Sequence, residues 1–495
     1  MMKKTDVSLV TLAIFLTTFM TAIEGTIVST AMPTIVADLD GLDMMNWVVS
    51  IFLLMTAVST PIYGKLADTF GRKPVFLFGI FVFVLGSGLC GLAGNMLELI
   101  LFRVSQGLGS GAVQTVAIIV LADMYAPALR AKMLGINSSF WGVASVIAPL
   151  LGGFIVQKLS WHWVFEINVP LGIIAFLLVA VYLKEGVHYN HSKLDLKGTV
   201  WLSSFLLAMM LFFQKIEANP DWLLLVTLFA IVVISGFAFY RAEQKAEDPV
   251  LPLSLLANRE FLILNLINLL AFGIVIGFEF YLPTWMQGIN GVSASIAGFV
   301  VTPSSVFWIV GSFIVGNLIA KWGTSKVFKI LLGLLLLVEL GLILVPLTTP
   351  FWVFLIFGPF AGLSFGAITM QTLVRSQMMV PSDQIGIATS FNTLMKYLGQ
   401  TILIALYGIV FNLVIASHLV LYPKLTAGMM NKVVSAQNAQ HLNPTLLPDL
   451  RRVLFSGLKS VYIIGVILVL LAIFLVYQIT AKRRHHKTEA AHVSS

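Results

Sequence analysis

Charge is scarce in this sequence of 495 residues: Asp, Glu, Lys and Arg make up 11% of it, against 58% hydrophobic residues. Soluble domains carry about 25% charged residues. A chain this poor in charge cannot cover its own surface in water, which excludes an ordinary soluble protein and leaves the bilayer as solvent. Cysteine is all but absent. Cys90 stands alone inside an apolar run, excluding an intramolecular disulfide and a thiolate metal cluster. No Gly-x-x-x-x-Gly-Lys-Ser/Thr loop is present to cradle a nucleotide phosphate, so ATP is not the expected energy source. Strict apolar–polar alternation is missing too, which rules out barrel strands and leaves helices to satisfy the backbone in lipid. Neither a His-rich cluster nor paired carboxylates occur at a membrane face, so an enzyme is not expected, and no cofactor or metal is called for. The formal charge of +8 does not mark a nucleic-acid partner, because the basic residues come one to three at a time in short loops.

Long uncharged runs are what the chain does have. About 20 apolar residues carry a helix across the hydrocarbon, and the runs predict fourteen transmembrane helices. They lie near 8–31, 47–66, 75–94, 98–121, 133–156, 164–183, 199–216, 222–240, 261–286, 296–319, 327–346, 351–374, 387–414 and 457–480. Lys3 and Lys4 before the first run resemble a signal peptide. Its length, the presence of Glu24 and the many spans that follow identify it instead as a retained first helix. With both ends inside, most Lys and Arg residues become cytoplasmic, including Lys65, Arg72, Lys73, Arg130, Lys132, Arg241 and Lys482. The short outer loops then hold only Lys158 and Lys215, and that asymmetry sets the expected orientation.

An internal echo points to duplication. Gly64-Lys65-Leu66-Ala67-Asp68-Thr69-Phe70-Gly71 follows span two, and Gly316-Asn317-Leu318-Ile319-Ala320-Lys321-Trp322-Gly323 follows span ten, with Gly, Leu, an aromatic and Gly at matching offsets. The expected all-α architecture is therefore a six-helix half over 1–185, two extra central helices with linkers over 186–258, and a second six-helix half over 259–481. That second half carries a long outer loop near 415–456, and 482–495 form a basic tail.

Several stretches carry a family resemblance. Gly64 to Lys73 is similar to the loop signature of the major facilitator superfamily. Three others resemble its fourteen-helix drug:proton antiporter branch: Glu24-Gly25-Thr26-Ile27-Val28-Ser29-Thr30-Ala31-Met32-Pro33, the set Arg103, Gln106, Gly107, Gly109 and Gly111, and Ala148-Pro149-Leu150-Leu151-Gly152-Gly153. Trp161-His162-Trp163, Ile167-Asn168-Val169-Pro170 and the stretch Asp383 to Ser390 extend the likeness over nearly the whole chain. Departures exist: Glu24 stands where the family has Asp, Ala148 where it has Gly, Lys396 where Arg is usual, and Ala320 where an echo of Asp68 would be. The resemblance implies alternating access between two halves, with protons exchanged for a lipophilic small molecule, and a monomer is expected.

Within that scheme the first loop reads as a conformational gate built from Gly64, Asp68, Gly71, Arg72, Lys73 and Asp123. The glycines permit a sharp turn, Asp68 can face the positive end of a helix in the other half, and Arg72 can reach Asp123 at the end of span four. The plainer reading is that the basic residues only fix topology. Pro149, Gly152 and Gly153 would kink and thin span five for close approach to a neighbour.

Intramembrane carboxylates cost about 2.5–3.5 kcal/mol or more and need a reason to exist. Thr17, Thr21 and Glu24 follow helical spacing on span one, giving a polar stripe suited to a cavity; Asn265, Asn268 and Glu279 do the same on span nine, its counterpart in the second half. Glu24, Arg103 and Glu279 are the candidate proton-coupling residues, and both stripes are candidate cavity lining. Arg103 must be paired if buried, with Glu24 as the candidate partner. Glu166 near the outer surface and Glu339 in a leucine-rich span are weaker candidates. The expected function is a proton-coupled efflux antiporter for lipophilic, cationic compounds. An exporter of a lipid, glycolipid or metabolite stays open beside it, as does a sensor or scaffold with a transporter-like body.

Overall fold

The computed structural model describes residues 5–184, 196–218, 221–246, 255, 257–381 and 385–493. Each expected span coincides with a helix. The first half holds α1 (Val7–Leu39), α2 (Met45–Phe70), α3 (Arg72–Cys90), α4 (Met96–Met124), α5 (Pro127–Lys158) and α6, a single turn Trp163–Glu166 running on into Asn168–Tyr182. Next come α7 (Leu196–Ala218) and α8 (Trp222–Glu243). The second half holds α9 (Arg259–Gly288), α10 (Ala294–Trp322), α11 (Thr324–Leu344), α12 (Phe354–Met378), α13 (Ile385–Leu419) and α14 (Leu447–Val493). Among the described residues, thirteen helices are long and apolar enough to cross a membrane.

Local chemistry sets the helix ends. Asp6, Asn95, Asp221, Asn258 and Ser293 cap α1, α4, α8, α9 and α10, each accepting from backbone N–H groups of the first turn. The two echo loops turn through glycines of matching conformation: Gly71 at φ 96°, ψ 154° and Gly323 at φ 78°, ψ 152°. An L side chain is strained there, so glycine is required at both places and the duplication extends to backbone angles.

In the first half α1 packs on α4, α5 and α6, and α4 on α2 and α3; in the second, α9 packs on α12, α13 and α14, and α10 on α12. The halves meet through α5 on α10, α2 on α13, and α1 on α9. The extra pair is held to the seam by α7, which touches both α2 and α13, while α8 packs on α7. Leu223, Val226, Phe229, Ile234 and Phe237 of α8 project outward, as do Phe313 and Leu344 elsewhere. Such a girdle of apolar side chains suits lipid contact.

Two boundaries differ from expectation. The outer loop is shorter than 415–456, because α13 runs on to Leu419 and α14 begins at Leu447, with polar residues at each helix end that a hydropathy window trims away. That loop carries a short helix, Ala427–Val433, and a 3₁₀ turn, Asn438–His441. Beyond 481, α14 continues to Val493.

Candidate functional site

The halves are sealed on the face where α1 ends. Tyr281 of α9 donates from its hydroxyl to Asn46 Oδ1 of α2 at 2.7 Å, Gln287 Nε2 donates to the Thr30 carbonyl at 3.2 Å, and Ser295 Oγ donates to Gln157 at 2.6 Å. The long loop between α13 and α14 adds to the seal, with Asn431 accepting from the Leu42 N–H at 3.2 Å and Asn438 donating to Asp38 at 3.5 Å. Trp161 Nε1 also donates to Asp38, at 2.9 Å, pinning the start of α6 to the end of α1. Pro149, Gly152 and Gly153 lie in this seal. A Cβ on Gly153 would stand 2.5 Å from the Ala294 carbonyl oxygen, and one on Gly298 would stand 2.0 Å from the Pro149 carbonyl oxygen. Gly152 faces α1, where a Cβ would meet Ile27 at 2.8 Å. The motif thus brings the α5 and α10 backbones together. Gly298 on the facing helix was not singled out by the sequence; its place opposite Pro149 is a tertiary fact.

At the opposite face Arg72 Nε meets Asp123 Oδ2 at 2.9 Å, and Lys73 Nζ donates to the Ala180 carbonyl at 2.7 Å, where the last carbonyls of α6 want a cation. Gly64 is not sterically forced, since a Cβ there would meet Thr115 at an ordinary 3.5 Å. Asp68 lies on α2, but its side chain falls outside the described residues. The second half has a counterpart that the echo could have revealed. Arg375 stands as far beyond Gly323 as Asp123 stands beyond Gly71, and it binds Thr324 Oγ1 at 2.8 Å and Glu260 at 2.9 Å. The charge that sits on α4 as an acid in one half sits on α12 as a base in the other.

Glu24 and Arg103 form an ion pair deep inside the first half. Asn168 Nδ2 donates to Glu24 Oε2 at 2.7 Å; Arg103 donates to Gln106 Oε1 at 2.7 Å and to the Val48 carbonyl at 2.9 Å; and Gln106 Nε2 reaches Ser87 at 2.8 Å. The guanidinium also lies 4.2 Å from the centre of the Phe52 ring. Asn168 belongs to a quoted motif yet had no assigned role; only packing of α6 on α1 brings it to the carboxylate.

The threonines and asparagines of both stripes are enclosed in this conformation. Thr17, Thr21 and Glu24 are wholly enclosed, with Glu24 at 0% exposure. Thr17 and Thr21 spend their hydroxyls on carbonyls of their own helix. Of this stripe, Glu24 joins the charge network inside its own half. Asn265 and Asn268 are enclosed too. Asn265 bonds Ser376 at 3.1 Å and Asn392 at 3.0 Å, and Asn268 bonds Thr372 at 3.1 Å, tying α9 to α12 and α13. These four residues are closed to substrate in this conformation.

Glu279 behaves differently, for it is only partly buried. Two turns earlier on the same face of α9 stands Phe272. Over that ring, at 5.0 Å, lies the Lys396 ammonium of α13, which is also 4.8 Å from the Trp141 ring of α5 and 5.3 Å from the Tyr397 ring. Lys396 and Trp141 are likewise partly open. Trp308 packs on Phe272, their ring centres 5.8 Å apart, and Phe365 lies enclosed behind it. This is a cleft between the halves, apolar and aromatic, with one carboxylate and one ammonium. Tyr397 adds a bond across it, its hydroxyl donating to Gln114 of α4 at 2.7 Å.

Glu339 sits on α11 against α14, where a Cβ on Gly465 would come within 2.4 Å of its carboxylate. It is enclosed at 2% exposure, so it faces protein and not lipid, and its Oε1 has no hydrogen-bond partner among the described residues. Glu166 is partly exposed at the sealed face, beside Gly91.

Two helical half-bundles closing on a charged, aromatic cleft define a membrane transporter. Residues 14–404 match the Major Facilitator Superfamily, and the chain belongs to that family. Multidrug transporter protein MdtP of Bacillus subtilis (strain 168) is 38% identical over 416 residues, covering 83% of this chain and 76% of that protein. Multidrug resistance protein 3 of the same organism is 33% identical over 418 residues, covering 82% and 80%. Among solved structures, a bacterial homologue of the human lysosomal transporter Spinster, described as inward-facing and occupied, superposes with TM-score 0.68. It is 16% identical, over 96% of this chain and 97% of that one.

Proposed function

We propose that this transporter is a proton-coupled efflux antiporter that exports lipophilic cations, and so protects a bacterial cell from toxic compounds. The observation that carries the reading is the partly open Glu279 carboxylate at the end of an aromatic wall. Rings bind greasy, delocalised cations, and a carboxylate in low dielectric supplies the counter-charge. The multidrug names of the similar proteins favour the same substrate class. Both termini lie in the cytoplasm, the cleft loads from that side, and rocking of the halves carries the substrate outward.

Glu24 and Arg103 serve as the coupling pair. Protonation of the carboxylate would free the guanidinium and loosen α1 from α4, and α1 is a helix that also touches the second half. The loop of Gly64, Asp68, Gly71, Arg72, Lys73 and Asp123 acts as the gate that opposes opening on the cytoplasmic face. In a one-for-one exchange of a proton for a monovalent cation the membrane potential cancels, so one pH unit supplies about 1.4 kcal/mol, roughly tenfold accumulation; a second proton would add about 2.3 kcal/mol from about 100 mV besides its own 1.4 or so.

The test is substrate-induced proton movement. Purified protein in liposomes holding a trapped pH dye should release protons when tetraphenylphosphonium is added, in proportion to its uptake. Tetraphenylphosphonium uptake without proton movement removes the coupling, and proton movement driven only by neutral or anionic compounds removes the cation.

A further inference from the structure

A cleft proposed to bind cations contains a lysine, which should repel them. The three rings around it resolve the conflict. An ammonium within about 6 Å of an aromatic face is attracted by the ring quadrupole. Lys396 has Trp141 at 4.8 Å, Phe272 at 5.0 Å and Tyr397 at 5.3 Å. These rings come from both halves, α5 on one side and α9 and α13 on the other. Glu279, partly buried, stands two turns further along the Phe272 face of α9, the nearest carboxylate on that face. Aromatic faces together with a nearby carboxylate are what a lipophilic cation would itself seek. The site is therefore already filled by a cation belonging to the protein.

We infer that Lys396 is a tethered surrogate for the substrate: its ammonium occupies the aromatic seat in the empty cleft, and an incoming lipophilic cation binds by displacing it from Trp141 and Phe272. The inference rests on the cationic reading above and adds to it a residue that limits affinity. Charge balance requires the displacement. Glu279 and Lys396 sum to zero, so a second cation beside both would be left without a counter-ion in a desolvated space. Lysine suits the part because its ammonium rides on a flexible four-carbon stem, whereas a guanidinium would stack on the rings and stay. A seat refilled by the protein's own cation also helps expel the cargo, and a pump needs release as much as capture. The cross-half reach to Trp141 ties that refilling to how the halves stand.

The experiment measures equilibrium binding of two ions of one shape and opposite sign, tetraphenylphosphonium and tetraphenylborate, to purified protein in detergent by isothermal titration. Lys396→Met removes the competing ammonium and keeps an unbranched apolar chain. It should tighten tetraphenylphosphonium binding roughly tenfold and weaken tetraphenylborate. Lys396→Arg, which keeps the charge, should bind the phosphonium no better than wild type, and adding Trp141→Ala to Lys396→Met should erase most of the gain. Size-exclusion profiles matching wild type establish that each variant is folded. Wild-type phosphonium binding with no gain in Lys396→Met overturns the surrogate role and leaves the cationic reading standing. Strong tetraphenylborate binding that Lys396→Met abolishes, with no phosphonium binding in any variant, overturns both and makes Lys396 the seat of an anion.

Discussion

Glu24→Gln is the substitution whose consequence the structure fixes best. Glutamine keeps the size of the side chain and removes the charge, leaving Arg103 as an enclosed cation. Breaking one side of a buried ion pair costs about 3–5 kcal/mol. Arg103 keeps the Val48 carbonyl, Gln106 Oε1 and the Phe52 ring, which together return about 1 kcal/mol. The expected net loss of stability is therefore about 2–4 kcal/mol. Adding Arg103→Gln removes the stranded cation, so the double variant should be more stable than Glu24→Gln alone, with a coupling energy of about 1–3 kcal/mol. Equilibrium unfolding in mixed micelles gives the four corners of the cycle. Transport supplies an independent readout: pH-driven efflux should collapse in Glu24→Gln and persist in part in Glu24→Asp, whose carboxylate sits on a shorter arm. A Glu24→Gln protein within about 0.5 kcal/mol of wild type, still pumping against a gradient, would refute the reasoning.

Other positions yield sharper binary outcomes. Gly153→Val should leave the protein inserted but stop transport, because its Cβ meets the Ala294 carbonyl at 2.5 Å; overpacking costs about 1–3 kcal/mol, and cysteine labelling at the sealed face should become faster. Gly71→Ala and Gly323→Ala should each cost about 1–3 kcal/mol in unfolding experiments, since both glycines hold positive φ. Asp123→Asn removes a bridge whose carboxylate is half exposed, so stability should change by less than about 1 kcal/mol; a transport loss well beyond that would mark the contact as a gate, and Asp68→Asn should behave alike.

The spans were legible because hydrocarbon thickness dictates a run length that hydropathy reads directly. The loop echo was legible because a positive-φ turn admits little besides glycine, and Gly71 and Gly323 obey that constraint. The Glu24–Arg103 contact could be guessed from the need of one buried charge for another. Its direction could not: Thr17, Thr21 and Glu24 make a polar stripe, and a stripe looks the same whether it faces a water-filled cleft or an enclosed network. For the same reason Asn265 and Asn268 seemed to line the cleft, although α12 and α13 close over them. Lys396 stood out as an intramembrane cation, but its rings arrive from three helices far apart in sequence. Asn168 and Gly298 were hidden in the same way, since each gains its meaning from a neighbour that only packing supplies, whereas the offset of Arg375 from Gly323 could be read from the echo.

The most direct test of the central claim compares Glu279→Gln with wild type for matched cationic and neutral substrates, in liposomes under an imposed pH gradient. Tetraphenylphosphonium and a neutral triphenylphosphine analogue share most of their surface. Loss of the counter-charge should cut cation transport about tenfold or more, while the neutral compound, which loses at most a hydrogen bond, should change by less than about threefold. Equal losses for both would make Glu279 a proton site with no part in choosing the substrate, and undiminished transport of the cation would contradict the account.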